Sequence, residues 1–263
     1  MTRRIDLYDS TYGNFTERVL AAIRQETFDR DIGQNGWLTA DEYDRFLSWL
    51  ELSPEHHVLE VASGSGGAAR YLAERIGCRV TGIDANESGV ATARKLASER
   101  LMFQVADANA RLPFEDATFD GLLCIDAMNH FPDRAAVLRE WHRVLRPGRR
   151  AVFTDPVTIT GAVTNDELAL RSSIGLFLFV PPGVNETWIE DAGFRLLRRE
   201  DGSDNAATVS GRWRDARERH RDDLLRIEGE ERFLGLQRFF EAVHRLTKER
   251  RLSRIVYLVE KPA

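Results

Sequence analysis

The stretch VLEVASGSGGAA, residues 58–69, places an acid, Glu60, just ahead of a glycine-rich turn. Gly64 and Gly66 lack the Cβ atoms that would hold a ligand off the backbone, and a helix opening after the turn aims its amide hydrogens at whatever binds there. The same residues, Gly64 to Ala69, fit the G-x-G-x-x-G/A fingerprint of dinucleotide binding, so the turn alone leaves the ligand open. Two further acids stand at telling positions. Asp84 ends an apolar run 24 positions after Glu60, where a carboxylate can accept from both ribose hydroxyls of an adenosine cofactor. Asp107, in VADANARLPF, adds an acceptor for an adenine amino group. Downstream, CIDAMNHFPD carries Asp126 and His130. An imidazole titrates near working pH, so His130 can take a proton while Asp126 holds the ring or a reactant in register.

These residues need a scaffold that brings the ends of several strands together. Between residues 57 and 155 short apolar runs alternate with helical patterns, the signature of βαβ units and a parallel sheet. We expect strands at Val58 to Val61, Arg79 to Ile83, Met102 to Val105, Gly121 to Ile125 and Ala151 to Thr154. The helices between them fall near Gly67 to Arg75, Glu87 to Ser98 and Arg134 to Leu145, the last stopped by Pro147-Gly148. Right-handed crossovers then give a doubly wound Rossmann-like α/β core, with ligands beyond the carboxyl ends of the strands at the switch in strand order. Before this core, Asn14 with Glu17 and Thr39 with Glu42 are spaced as capping boxes of short amphipathic helices. After it, Thr164 to Phe179 and Asn185 to Ala192 read as helices and Phe194 to Arg199 as a sixth strand. Ala206 to Arg251 reads as an inserted helical pair, and Ile255 to Val259 as a final strand. The expected units are an N-terminal helical extension or lid (1–55), the core (56–200), the helical cap (201–252) and the last core strand (253–263).

With 263 residues, 43% of them hydrophobic and 30% charged, the chain can bury a substantial core. A net charge of −5 speaks against a nucleic-acid partner, and the Arg-rich stretches Arg212 to Arg221 and Arg245 to Arg254 are interleaved with acids, as on solvated helix faces. Cys78 and Cys124 sit in apolar runs and cannot form a disulfide framework; with no apolar signal core at the N-terminus, a cytoplasmic protein without a membrane segment is expected. His56 and His57 precede the first strand, at the far end of the sheet, and read as surface residues. His142, His220 and His244 have no partners at metal-ligand spacing, so no metal site is expected.

The segments VLEVASGSGG, GIDANESGV, VADANARLPFEDATFD, CIDAMNHFPD and VLRPGRRAVF, in this order, resemble the class I S-adenosylmethionine-dependent methyltransferases, over roughly residues 34–156. The likeness is to the small-molecule branch, including phosphoethanolamine and sarcosine/dimethylglycine methyltransferases. It implies a seven-stranded sheet of order 3-2-1-4-5-7-6 with the last strand antiparallel. It also implies S-adenosylmethionine as cofactor, S-adenosylhomocysteine as product and a small-molecule acceptor methylated on nitrogen or oxygen. The chain departs from the family pattern at Ala62, where the family usually has glycine, and at Ser63, a frequent cysteine. The implied cofactor residues are Glu60, Ala62, Gly64, Gly66, Asp84, Ala85, Asp107, Ala108, Asp126 and Trp37. Asp126 and His130 are the implied catalytic pair, the histidine assisting proton removal. Tyr8 and Tyr12, in the extension, are expected to fold over the site. A sulfonium cation without phosphates suits a site bordered by four carboxylates better than a pyrophosphate does. Two other readings use the same turn: a nicotinamide-dependent oxidoreductase, and a protein of this fold that binds the donor without transferring methyl. Sequence does not define the oligomeric state.

Overall fold

A computed structural model describes Tyr12 and residues 17–263; Tyr8 and Asn14 lie outside the described residues. Seven strands form one sheet: β1 His57–Val61, β2 Arg79–Asp84, β3 Leu101–Val105, β4 Phe119–Cys124, β5 Leu145–Ile159, β6 Arg195–Asp201 and β7 Leu252–Glu260. Their order is β3-β2-β1-β4-β5-β7-β6. The first five run parallel, and β7 runs antiparallel to both β5 and β6. This is the class I topology expected from the motifs. β4 is buried at all six positions, which is why it reads as a continuous apolar run rather than an alternating one.

β5 is much longer than the expected Ala151 to Thr154. Its register with β4 slips between Phe119 and Gly121, where Pro147-Gly148 bulges out with Gly148 at φ +74. At its other end β7 continues the pairing to Thr158↔Ser253 and Ile159↔Leu252. Helices cover both faces. On one face α5 (Arg134–Val144) and α7 (Val184–Asp191) bury Leu138, Trp141 and Ile189 against the sheet. On the other lie α2 (Ala40–Trp49), α3 (Gly67–Ile76) and α4 (Glu87–Ala93), which contribute Phe46, Leu72 and Val90. The expected helix to Ser98 ends at Ala93 and continues only as a 3-10 turn, Arg94–Leu96.

A third apolar cluster joins α1 (Arg18–Thr27) to α8 (Ser203–Arg219) and α9 (Arg221–Lys248), through Ile23, Phe28, Trp213 and Phe240. These helices form the cap over the strand ends. The expected helix from Thr164 to Phe179 is wrong in extent. A complete capping box between Thr164 and Glu167 starts α6, but it spans only Asn165–Arg171. The rest leaves the helix because its backbone is claimed elsewhere: the Leu178 N–H donates to the Asn129 carbonyl at 2.8 Å, and the Ile159 N–H to the Val180 carbonyl at 2.8 Å. The Arg-rich stretches are not wholly solvated either, since Arg217 and Arg254 are buried. Among the described residues no helix is long and apolar enough to cross a membrane. Cys78 and Cys124 are buried free thiols.

Candidate active site

The strand ends and the cap enclose a cavity of about 480 Å³. Its sheet side is built on the glycine turn. Ala62, Gly64 and Gly66 all lie in the left-handed region, at φ +57, +52 and +80. Ala62 thus occupies a conformation that costs an L-residue energy, which explains the glycine expected there. The two glycines make room for protein as much as for a ligand. A Cβ on Gly66 would stand 2.6 Å from the Phe103 ring, and one on Gly64 would meet the Tyr12 ring at 3.0–3.1 Å. Tyr12 therefore lies against the glycine turn, and its carbonyl accepts from the Thr92 hydroxyl at 3.1 Å.

Asp84 underpins the turn: its carboxylate accepts the Gly64 N–H and the Asn86 N–H, each at 2.8 Å. Burial raises its pKa, against these bonds. Glu60 is buried more completely. Its Oε1 accepts from the Tyr43 hydroxyl at 3.3 Å, while Oε2 has no hydrogen-bond partner among the described residues. Burial pushes the Glu60 carboxyl up to about 8. Asn35 Oδ1 and Ser63 Oγ, on the same cavity wall, are likewise buried without partners among the described residues. Asp107 stands exposed at the rim, accepting from the Asn109 backbone and side-chain amides at 2.9 Å, and Ala85 and Ala108 line the wall beside it.

Asp126 is the junction of the site. Its Oδ2 accepts the Trp37 N–H at 2.7 Å, and its Oδ1 accepts from the Thr154 hydroxyl at 2.8 Å and from Arg254 Nε at 2.6 Å. Arg254 Nη1 donates in turn to Glu42 at 2.8 Å, and the other Glu42 oxygen accepts from Asn205, whose amide also reaches the Trp37 carbonyl. Burial works against the Arg254 charge, but the two carboxylates raise its pKa above the ordinary arginine value. This network joins the N-terminal segment, β4, β7 and the cap around one wall of the cavity. It also explains why only half of the expected Thr39–Glu42 box forms: Thr39 accepts the Glu42 N–H, but the Glu42 carboxylate serves Arg254 and Asn205.

A family model described as "Methyltransferase domain" matches residues 59–153. The chain is 32% identical over 178 residues to a sarcosine/dimethylglycine N-methyltransferase of Halorhodospira halochloris, a match covering 66% of this chain and 64% of that protein. It is 30% identical over 212 residues to the O-methyltransferase cnsE of Penicillium expansum, covering 76% and 75% of the two chains. The chain belongs to the class I S-adenosylmethionine-dependent methyltransferases. A solved phosphoethanolamine N-methyltransferase of Haemonchus contortus shares the fold, with TM-score 0.79 and 18% identity over 97% of this chain and 60% of that one. The chain spans less than two thirds of the length of some of these relatives, 64% for the Halorhodospira enzyme.

The two residues of the expected catalytic pair stand in different surroundings. His130 Nδ1 lies 3.0 Å from the Leu176 carbonyl, which can only accept, so Nδ1 carries the proton and Nε2 holds the lone pair of the neutral ring. The ring packs edge-on to Phe177 at 4.8 Å. Asp126 spends its carboxylate on Trp37, Thr154 and Arg254, and no hydrogen bond joins it to His130. Those bonds engage both oxygens of the Asp126 carboxylate. Trp37 lines the cavity as expected of its position, held through its N–H by Asp126, while its indole packs against Phe240 at 6.2 Å in the cap cluster. His56 and His57 are half-buried rather than surface residues, and the His57 ring packs on Phe119 at 4.7 Å and lies 2.9 Å from the Thr81 hydroxyl. Residues missed from sequence are Glu42, Tyr43, Arg171, Arg217 and Arg254. Glu42 has the spacing of a cap residue, and an arginine in a charged stretch carries no local mark of burial. Family membership also removes the nicotinamide reading.

Proposed function

We propose that the chain binds S-adenosylmethionine in this cavity and transfers its methyl group to a nitrogen or oxygen of a small-molecule acceptor. The observation that carries the reading is the convergence of Glu60, Asp84, Asp107 and Asp126, from four strand ends, on one cavity at the switch between β1 and β4. The unpartnered acceptors Glu60 Oε2, Asn35 Oδ1 and Ser63 Oγ fit a ligand that brings an ammonium and hydroxyls. When bound, the donor supplies an electrophilic methyl on a positively charged sulfur. Asp84 sits at the turn to take ribose hydroxyls, Asp107 at the rim to take an adenine amine, and Glu60 near an ammonium. Tyr12 and the Gly33–Trp37 segment close the cavity over the turn and exclude water. Methyl transfer needs in-line orientation above all, which the Asp126–Arg254–Glu42 network gives by fixing Trp37 and the cap against the sheet. His130, on the cavity between sheet and cap, takes the proton released by a hydroxyl or an ammonium acceptor.

Buried free cysteines and the small-molecule relatives favour a cytoplasmic enzyme. The test is incubation of the protein with methyl-labelled donor and a metabolite extract, followed by mass spectrometry. A labelled product together with S-adenosylhomocysteine supports the reading. Donor binding with no labelled product from any extract points to a non-methylating protein of this fold.

A further inference from the structure

Under the cap the cavity is walled by Trp37, Ile174, Phe177, Trp213, Phe239 and Phe240, with Trp213 and Phe240 stacked at 5.9 Å and Phe239 edge-on to Phe240 at 5.4 Å. The cations of this half are already engaged. Arg217 is ion-paired with Glu228 and lies over Phe240, and the Arg171 guanidinium lies over Phe177, Phe239 and Trp37. The acids that line the cavity, Glu60, Asp84, Asp107 and Asp126, all stand at its other end, on the strands. An anionic acceptor would lose its hydration among these rings and meet an arginine, Arg217, that Glu228 has already neutralised. An ammonium acceptor would bring a second positive charge onto rings that already face a guanidinium, with no carboxylate lining this wall among the described residues. The chamber therefore suits an uncharged, flat, apolar body.

One polar group of the wall is unmatched. β4 leads into a 3-10 turn, Met128–His130, that puts Asn129 and His130 on the cavity between the sheet and the chamber. The turn is tied to the chamber wall on both sides of Phe177: the Leu178 N–H donates to the Asn129 carbonyl at 2.8 Å, and His130 Nδ1 lies 3.0 Å from the Leu176 carbonyl. Asn129 is thus held by its backbone. The residue is 1% exposed, and its side-chain Oδ1 has no hydrogen-bond partner among the described residues. A buried amide oxygen without a donor is costly, and folded proteins keep few of them. It can only accept, so the ligand group that relieves it carries an O–H or N–H, and an ether, a carbonyl or a carboxylate does not serve. A neutral amide also adds no charge to the wall, in keeping with an uncharged partner.

We infer that the methyl acceptor is an uncharged aromatic compound with a ring hydroxyl, its ring packed among the cap residues and its O–H donated to Asn129 Oδ1. Its role as acceptor rests on the proposed methyl transfer, but the site itself is tested by binding alone. The probes are naphthalenes of one shape: 2-naphthol; 2-methylnaphthalene, which lacks the O–H; the anion 2-naphthoate; and the cation 2-naphthyltrimethylammonium. Each is titrated at neutral pH, by ligand-observed NMR, against the full chain as wild type, N129L and N129A, with thermal melts run alongside. The wild type is expected to bind 2-naphthol roughly three- to tenfold more tightly than 2-methylnaphthalene, the worth of one neutral hydrogen bond, and more tightly than either charged probe. N129L and N129A should each remove the preference for the O–H and leave 2-methylnaphthalene bound. Equal wild-type affinities for 2-naphthol and 2-methylnaphthalene overturn the inference, as does tighter binding of either charged probe or failure to bind any probe up to its solubility. A preference for the O–H that survives in either folded variant also overturns it. The wild-type comparison stands even if both variants fail to fold. Calorimetry with S-adenosylhomocysteine, run separately, shows whether the donor reading fails on its own account.

Discussion

Glu60 offers a measurable consequence of burial. An ordinary glutamate titrates at 4.5, and burial pushes this one to about 8. Between those values the folded chain keeps a proton that the unfolded chain has released, so stability falls as pH rises across the window. Stability from this group is fully present below pH 4.5 and is lost as pH passes through about 8. At about 1.4 kcal/mol per pH unit the whole window is worth roughly 5 kcal/mol, and water entering through the cavity reduces it to roughly 2–5 kcal/mol. Glu60→Gln keeps the shape and the bond from Tyr43 and removes the titration. Urea unfolding of both proteins at several pH values should show the wild type losing stability relative to the variant by about 1 kcal/mol per pH unit through neutrality. A difference between the two that stays flat with pH would refute the account of Glu60 as a buried, proton-holding acid. If an ammonium docks beside it, donor binding near neutral pH also releases a proton, detectable by calorimetry in buffers of different ionisation enthalpy and absent from the variant.

Arg254→Met leaves Asp126 and Glu42 buried without their shared cation and should cost about 3–5 kcal/mol in denaturant unfolding; a loss below about 1 kcal/mol would mean that the network does not hold the wall. His130→Ala should lower kcat by roughly 10²–10⁴-fold with S-adenosylhomocysteine affinity unchanged, and should abolish the acidic limb of the pH profile. An acidic limb shared by both proteins assigns the proton to another group. Ala62→Gly relieves a left-handed alanine at φ +57, so after the added chain entropy it should raise stability by about 0.5–1 kcal/mol, measured as an increase in Tm; a drop would show that the conformation carries no strain.

Most of the core was legible because buried parallel strands are written as apolar runs and their βα turns as Gly, Asn and Asp punctuation. Each of the seven expected strands is present, displaced at its ends where pairing partners decide the length, as β7 does for β5. The failures share one cause. Thr164 to Phe179 has helical spacing, yet Leu178 and Val180 find their hydrogen bonds on Asn129 and Ile159, partners 49 and 21 residues away in sequence (178 − 129 and 180 − 159). Asp126 pairs naturally with His130 on sequence proximity, whereas its partners Trp37, Thr154 and Arg254 come from elsewhere in the chain. Arg254 sits in a charged stretch, and only the fold reveals that β7 carries it inside. Local pattern reports the elements; the partners of buried charges are set by how those elements meet.

The central claim is that the acid-lined cavity at the glycine turn takes S-adenosylmethionine rather than a dinucleotide. The most direct measurement is calorimetric titration of the wild type and Asp84→Ala with S-adenosylhomocysteine and, separately, with NAD. Saturable one-site binding of the nucleoside is expected, weakened roughly ten- to a hundredfold by Asp84→Ala, with no comparable binding of NAD. Binding of NAD more tightly than S-adenosylhomocysteine, or nucleoside affinity indifferent to Asp84, would contradict it.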